Sequence, residues 1–184
     1  METRPEIGDI LKELGIADMV SGRLRSDQES ALNRVYNAAT KRVGSVNGIS
    51  GALYLAVGIG GPFSRDAINT AGVNATFENG LAHTDSPTTG DVCAWHSNPL
   101  VYVQDGFYTS TLRHLGVVLG SRDSVPYVVH QVTGRVLIES VSDATQRVDG
   151  RARTDFQSRY EGVLEVKYHP LESVLASRQT FLKR

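Results

Sequence analysis

The stretch Thr111–Arg135, TLRHLGVVLGSRDSVPYVVHQVTGR, decides how the chain is read. It holds two β-branched runs, HLGVVLG and PYVVHQV, joined by the polar connection SRDS. Short apolar runs flanking a Ser/Asp turn predict an antiparallel hairpin. His114 heads the first run and His130 lies inside the second. Side chains alternate faces along a strand, so a hairpin can bring both imidazoles onto one face. That pairing suits a catalytic base and the residue that orients it.

Outward from the hairpin, the neighbouring segments continue the β pattern. Val92–Trp95 is a continuous apolar run after a Thr/Gly turn, and Leu100–Gln104 with Asp105-Gly106 predicts a strand and a tight turn. RVLIESV follows Thr133-Gly134, and GVLEVKYHPL sets Val163, Glu165 and Lys167 against Leu164, Val166 and Tyr168, as in a strand with one wet face. LESVLASRQTFLKR predicts a short closing helix.

The first part of the chain is helical in pattern. Ile7, Ile10, Leu11 and Leu14 predict a helix over Pro5–Leu14 that stops at Gly15. Ser26 with Glu29 forms a capping box before the stripe Ala31, Leu32, Val35, Tyr36 and Ala39, which ends at Gly44. Gly48–Ile59 reads as a short buried helix entered through a Gly/Asn/Ser turn. Gly60–Thr89 is dense in turn formers, with at most a short helix near Arg65–Thr70 and a surface His83. Helices followed by antiparallel strands predict an α+β fold with the helices on one side of the sheet.

The chain has 184 residues, which predicts one domain over 1–184: a helical part over 1–44, then a helix and sheet core over 45–184. Its net charge of -1 offers no electrostatic attraction for nucleic acid or an anionic membrane, and no apolar run is long enough to span one. The N-terminal segment lacks the apolar core of a signal peptide, which predicts a soluble protein made in the cytoplasm. Export as an effector by a route without a cleaved signal stays open. The single cysteine, Cys93, excludes an intrachain disulfide and a multi-cysteine zinc site. It lies in an apolar run, where burial makes a thiol inert.

GDVCAW, RHLGVVLG and YVVHQVTGRV, in that order, resemble the strand core of the NlpC-type papain-like cell-wall peptidases. The helix that carries the family's nucleophilic cysteine is matched by Gly48-Ile49-Ser50-Gly51-Ala52-Leu53. The resemblance covers Val46–Val136 and implies a papain-like fold, with N-terminal helices packed on a central antiparallel sheet. It implies an amidase acting on peptidoglycan stem peptides, with His114 as base, His130 as orienter and no cofactor. Ile49 stands where the cysteine is expected, and a shift of one residue places Ser50 there. A serine is the poorer nucleophile beside an imidazole base, its hydroxyl being far less acidic than a thiol.

Two readings follow. One is an amide hydrolase using Ser50, His114 and His130. The other is a catalytically inactive relative that keeps the groove to bind a cell-wall peptide or a protein partner, such as an immunity or adaptor protein. A metal on His114, His130 and Asp91 or Asp105 is a lesser alternative without a close-spaced ligand motif. A purely structural role for both histidines completes the field.

Overall fold

The computed structural model describes residues 48–59, 68–98, 111–132, 135–156 and 163–183, together with 9, 12–16 and 30. Both N-terminal helices of the sequence reading lie mostly outside these residues, as does the strand and turn expected over 100–106. At the described end of the first, Gly15 donates its N–H to the Lys12 carbonyl at 3.1 Å.

Helix α1 spans Gly48–Val57, close to the sequence expectation. Gly58 stops it: at φ +71 its N–H turns back to the Tyr54 carbonyl at 3.0 Å, a left-handed cap that a side chain would strain. Helix α2 covers Thr70–Ala75 and runs into a wider turn over Thr76–Gly80. Of the helix expected near Arg65–Thr70, residues 65–67 lie outside the described residues, and Ile68 pairs in an isolated bridge with Leu182. Asn69 is the N-cap, its side chain accepting from the Gly72 N–H, so the helix begins where the sequence pattern was read to end.

Five strands form one antiparallel sheet: β1 Val92–Asn98, β2 Leu112–Arg122, β3 Val125–Val132, β4 Arg135–Ser140 and β5 Val163–His169, in the order β4-β3-β2-β1-β5. The β2–β3 hairpin turns at Asp123 and Ser124, both at positive φ (52° and 65°). Two successive left-handed residues match the right-handed twist of the strands they join. Helix α3, Val141–Phe156, fills the crossover from β4 to β5. Helix α4, Leu171–Ala176, and a 3₁₀ turn over Arg178–Phe181 close the chain as expected.

The two sheet faces carry separate cores. Val92, Ala94, Leu115, Val117 and Val129 pack with Leu53, Ala56, Val73, Val174 and Phe181, so this face is covered by α1, α2 and α4. Cys93, Trp95, Val118, Val128 and Leu164 pack with Ala144 and Val148 of α3 on the other. The expectation of helices on one side is corrected here. Strands apolar at successive positions, such as β1, have both faces dry, and each face then needs its own cover. Full burial of a side chain such as Leu53 or Phe181 stabilises by about 1.5–3 kcal/mol.

Gly90-Asp91 ties the sheet to its loops. Gly90 N–H reaches the Val118 carbonyl at 2.8 Å. The buried Asp91 carboxylate accepts from Thr88 N–H at 2.8 Å, Thr88 hydroxyl at 3.2 Å and Leu171 N–H at 3.0 Å. No described helix is long and apolar enough to cross a membrane.

Candidate functional site

The hairpin brings the two histidines together. His114 Nε2 lies 3.0 Å from His130 Nδ1, with the rings edge to face at 5.1 Å between centroids. Both are buried, and the His130 side chain is fully so. His114 stands opposite Trp95 on β1, and His130 opposite Gly116 on β2. Gly116 lets this happen: a Cβ there would sit 3.2 Å from His130 Cβ and 3.3 Å from Trp95 Cη2. Trp95 donates its indole N–H to the Thr145 hydroxyl of α3 at 2.8 Å and tilts against both imidazoles.

Two residues that the sequence reading missed complete the chain of contacts. Glu139 on β4 accepts from His130 Nε2 at 2.8 Å. The same carboxylate takes a fork from Arg147 of α3, at 2.9 Å from Nε and 2.8 Å from Nη2. A carboxylate alone in the apolar strand RVLIES was the available signal. Desolvation by itself would raise the Glu139 pKa, but the Arg147 and His130 hydrogen bonds outweigh it and hold the carboxyl below its ordinary value.

That carboxylate sets the direction of every proton in the relay. An ionised carboxylate only accepts, so His130 Nε2 must be the donor. Burial lowers the pKa of both rings, with His130 partly rescued by Glu139, so both are neutral at neutral pH. A neutral His130 protonated on Nε2 offers a lone pair at Nδ1, and His114 Nε2–H donates to it. His114 Nδ1 is left as the bare, basic nitrogen of the pair. The structure thus brings together the two histidines that the sequence reading paired, with the His114 ring held through Nε2. Its basicity is another matter. Burial, then the nearby His130 and Arg151, push the His114 pKa down to about 3.

The third predicted member stands apart. Ser50 lies in the first turn of α1, and its side chain is outside the described set. The body of α1 covers the face that bears Val117 and Val129, whereas His114 and His130 project from the opposite face beside Trp95 and α3. The sheet separates them. The slot matched to the family's cysteine holds Ile49, whose side chain packs against the α1-side core. Cys93 is fully buried, and desolvation raises its pKa well above the ordinary thiol value, in line with a structural role.

On the α1 side, Gln131 follows His130 in β3 and so points to the opposite face. It is 3% exposed, and among the described residues neither its Oε1 nor its Nε2 has a hydrogen-bond partner. It borders a small cavity with Gly51, Ala52, Leu55, Val129, His130 and Val136. A second imidazole pair, His96 and His169, lies 6.4 Å apart between centroids on that same face. His169 Nδ1 donates to the Ala82 carbonyl at 2.9 Å and His96 Nδ1 meets the Thr111 hydroxyl at 3.1 Å. Among the described residues no three His, Cys, Asp or Glu side chains gather as a metal site, and Asp91 is engaged by Thr88 and Leu171.

Compared with protein-family models, curated proteins and solved structures, the chain finds no match in any of the three.

Proposed function

We propose that this chain is a non-hydrolytic relative of the NlpC-type papain-like amidases, which keeps their α+β scaffold to hold a peptide without cutting it. The observation that carries this reading is Ile49. At the head of α1, where the resemblance expects a thiol, an aliphatic side chain packs against the core. It has no atom that can attack a carbonyl. The histidines support the same reading, because a general base works best with a pKa near the working pH, and His114 sits at about 3. In this role the His114–His130–Glu139–Arg147 relay is a polar brace between the sheet and α3. The ligand class follows from the resemblance: a peptidoglycan stem peptide, with a protein partner as the competing occupant.

One observation favours the hydrolytic reading instead. The relay leaves one nitrogen of His114, Nδ1, bare and ties the other, Nε2, to an orienter, the base-and-orienter logic of a catalytic triad with the two nitrogens in the reverse of their Ser-His-Asp roles. On that reading His114 takes the proton and His130 fixes the ring, but the helix that carries Ser50 covers the other face of the sheet, so attack by Ser50 requires that helix to move to the imidazole face.

Incubation of the protein with muropeptides, analysed by mass spectrometry and by equilibrium binding, separates the two. Non-hydrolytic binding predicts intact peptide recovered in complex, with Ser50→Cys equally inert. Cleavage by the wild type or by Ser50→Cys, lost in His114→Ala, returns the hydrolase. Neither cleavage nor binding removes both.

A further inference from the structure

The sheet ends in two edge strands that are built differently: β5 on one side, β4 on the other. The middle of β5 carries Lys167 and Glu165, paired at 3.6 Å, and Thr84 bridges to its Tyr168. Charges and a covering loop keep an edge strand from pairing with another chain. Among the described residues β4 has no such covering bridge. Its middle, Val136-Leu137-Ile138, is half-buried and uncharged, and its register with β3 has no bulge.

Which backbone groups of β4 face outward follows from the register. The Val129 carbonyl oxygen points at Gly116 of β2, 3.1 Å from where a Cβ would stand. Successive strand residues turn their N–H and C=O to alternate sides, so Val128 and His130 turn theirs toward β4. Their partners Glu139 and Leu137 turn back to them. Pro126, which has no N–H, falls on the β4 side just past the last pair, Tyr127 with Ser140. Val136 and Ile138 are left with both backbone groups directed away from the sheet.

We propose that this edge is an interface between two copies of the chain, which pair through β4, antiparallel about a twofold axis. The strand is self-complementary in one register. Leu137 stands opposite Leu137 of the other copy, and Val136 opposite Ile138 of the other copy. Each Val136–Ile138 pair exchanges both of its hydrogen bonds, so every outward group of these residues is satisfied in both strands. The same register sets the exposed Arg135 opposite Glu139 of the other copy. Glu139 Oε2 takes the Arg147 Nη2 donor, and a carboxylate oxygen has room for a second. The charges therefore match at both ends of the pairing. Sliding one strand by two residues sets Val136 opposite Val136, or Ile138 opposite Ile138, and parts Arg135 from Glu139. An unrelated extended peptide would meet the same backbone groups without that charge match, which is why the occupant is a second copy.

Sedimentation equilibrium of the full chain and cysteine cross-linking test the interface, which is independent of the peptide-binding reading. The wild type is expected to show a concentration-dependent monomer–dimer equilibrium. Arg135→Glu sets like charges opposite each other at both ends and is expected to weaken the dimer by about tenfold. In the proposed register the two Leu137 Cα atoms lie about 4.5 Å apart, within reach of a disulfide. Leu137→Cys is therefore expected to cross-link under mild oxidation. Val136→Cys and Ile138→Cys, each offset from its own counterpart, are expected to stay reduced. Cys93 is buried and serves as the unreactive background in all three. A wild type that stays monomeric up to its solubility limit overturns the interface, whether or not a peptide pairs with the edge instead. A dimer that cross-links through Val136→Cys or Ile138→Cys, or through none of the three, has its contact elsewhere and overturns it too. Should Leu137→Cys fold poorly, the Arg135→Glu arm decides, an unchanged dimer constant overturning the proposal.

Discussion

His130 and Glu139 are joined at 2.8 Å from Nε2 to Oε1, and this one bond fixes which nitrogen of each imidazole carries the proton. Because Glu139 is held ionised by the Arg147 fork, His130 is the Nε2–H tautomer, and so is His114. Nitrogen-15 shifts of the histidine rings are therefore expected to report a bare Nδ1 on both at pH 7. Glu139→Ala removes the acceptor from a fully buried N–H and is expected to lower stability by about 1–3 kcal/mol in urea unfolding. Arg147 is half exposed, so Arg147→Ala is expected to cost much less while shifting the Glu139 carboxyl upward. A His130 ring protonated on Nδ1 in the wild type would overturn the proposed direction of the relay.

Gly116 is the position where packing leaves no margin. Its absent side chain is the space into which Trp95 and His130 close, with a Cβ falling 3.1 Å from the Val129 carbonyl oxygen, 3.2 Å from His130 Cβ and 3.3 Å from Trp95 Cη2. These neighbours are backbone and fully buried rings, which give little. Gly116→Ala is expected to destabilise by about 1–3 kcal/mol, as overpacking does. It should also disturb the His114–His130 contact, seen as altered ring nitrogen shifts. Unchanged stability and unchanged shifts would mean that the sheet can flex here.

Part of this was legible in the sequence and part was not. The β2–β3 hairpin was clear because two β-prone runs meet at a short polar turn, and β5 because Glu165 and Lys167 alternate with apolar residues. Helix α3 was not read. RVLIESV looks like one strand through Val141, yet Ser140 is a cap: its Oγ accepts from Asp143 N–H at 3.1 Å and turns the chain. After it the apolar stripe is thin, with Ala144 and Val148 the buried hydrophobic residues among those described on α3. With α3 unseen, the cover over Cys93 and Trp95 was unseen too, although their alternation with Val92 and Ala94 already demanded one. The histidine pair was predicted from order and face. Glu139 and Arg147 were missed because their partners lie across a strand and a crossover, a relation that spacing alone does not encode. That the sheet lies between α1 and the imidazoles is a matter of which face each strand residue takes, and β1 and β2, dry on both faces, leave that parity unmarked.

Asp91 offers a direct test of what Gly-Asp does in this chain. Its two oxygens serve three donors, on Thr88 and Leu171, and hold the β1 entry loop to the start of α4. Asn keeps one oxygen and replaces the other by a donor, so at least one of the N–H groups is left facing an NH₂. Asp91→Asn is expected to cost about 1–3 kcal/mol in denaturant unfolding and to leave peptide affinity of the folded protein unchanged. A loss of binding without loss of stability would move Asp91 into the ligand site.

The four buried histidines make stability fall on the acid side. Desolvation lowers the pKa of His114 to about 3 and of His96 to about 4 from the ordinary 6.5, and it lowers His130 and His169 as well. Above pH 6.5 these rings are neutral whether the chain is folded or not, and they add no slope. Below it the unfolded chain takes up protons that the folded one refuses, so unfolding becomes progressively easier until the folded pKa values are reached. Each refused proton contributes up to about 1.4 kcal/mol per pH unit. Urea unfolding between pH 7.5 and about pH 4 is therefore expected to show near-constant stability at the upper end and a steepening decline below 6.5. His96→Phe, whose ring keeps the apolar contacts, is expected to remove about one proton from that slope. Stability that rises on acidification from pH 7 to about 5 would mean that these imidazoles gain partners for their protonated forms, and the buried neutral relay would have to be abandoned.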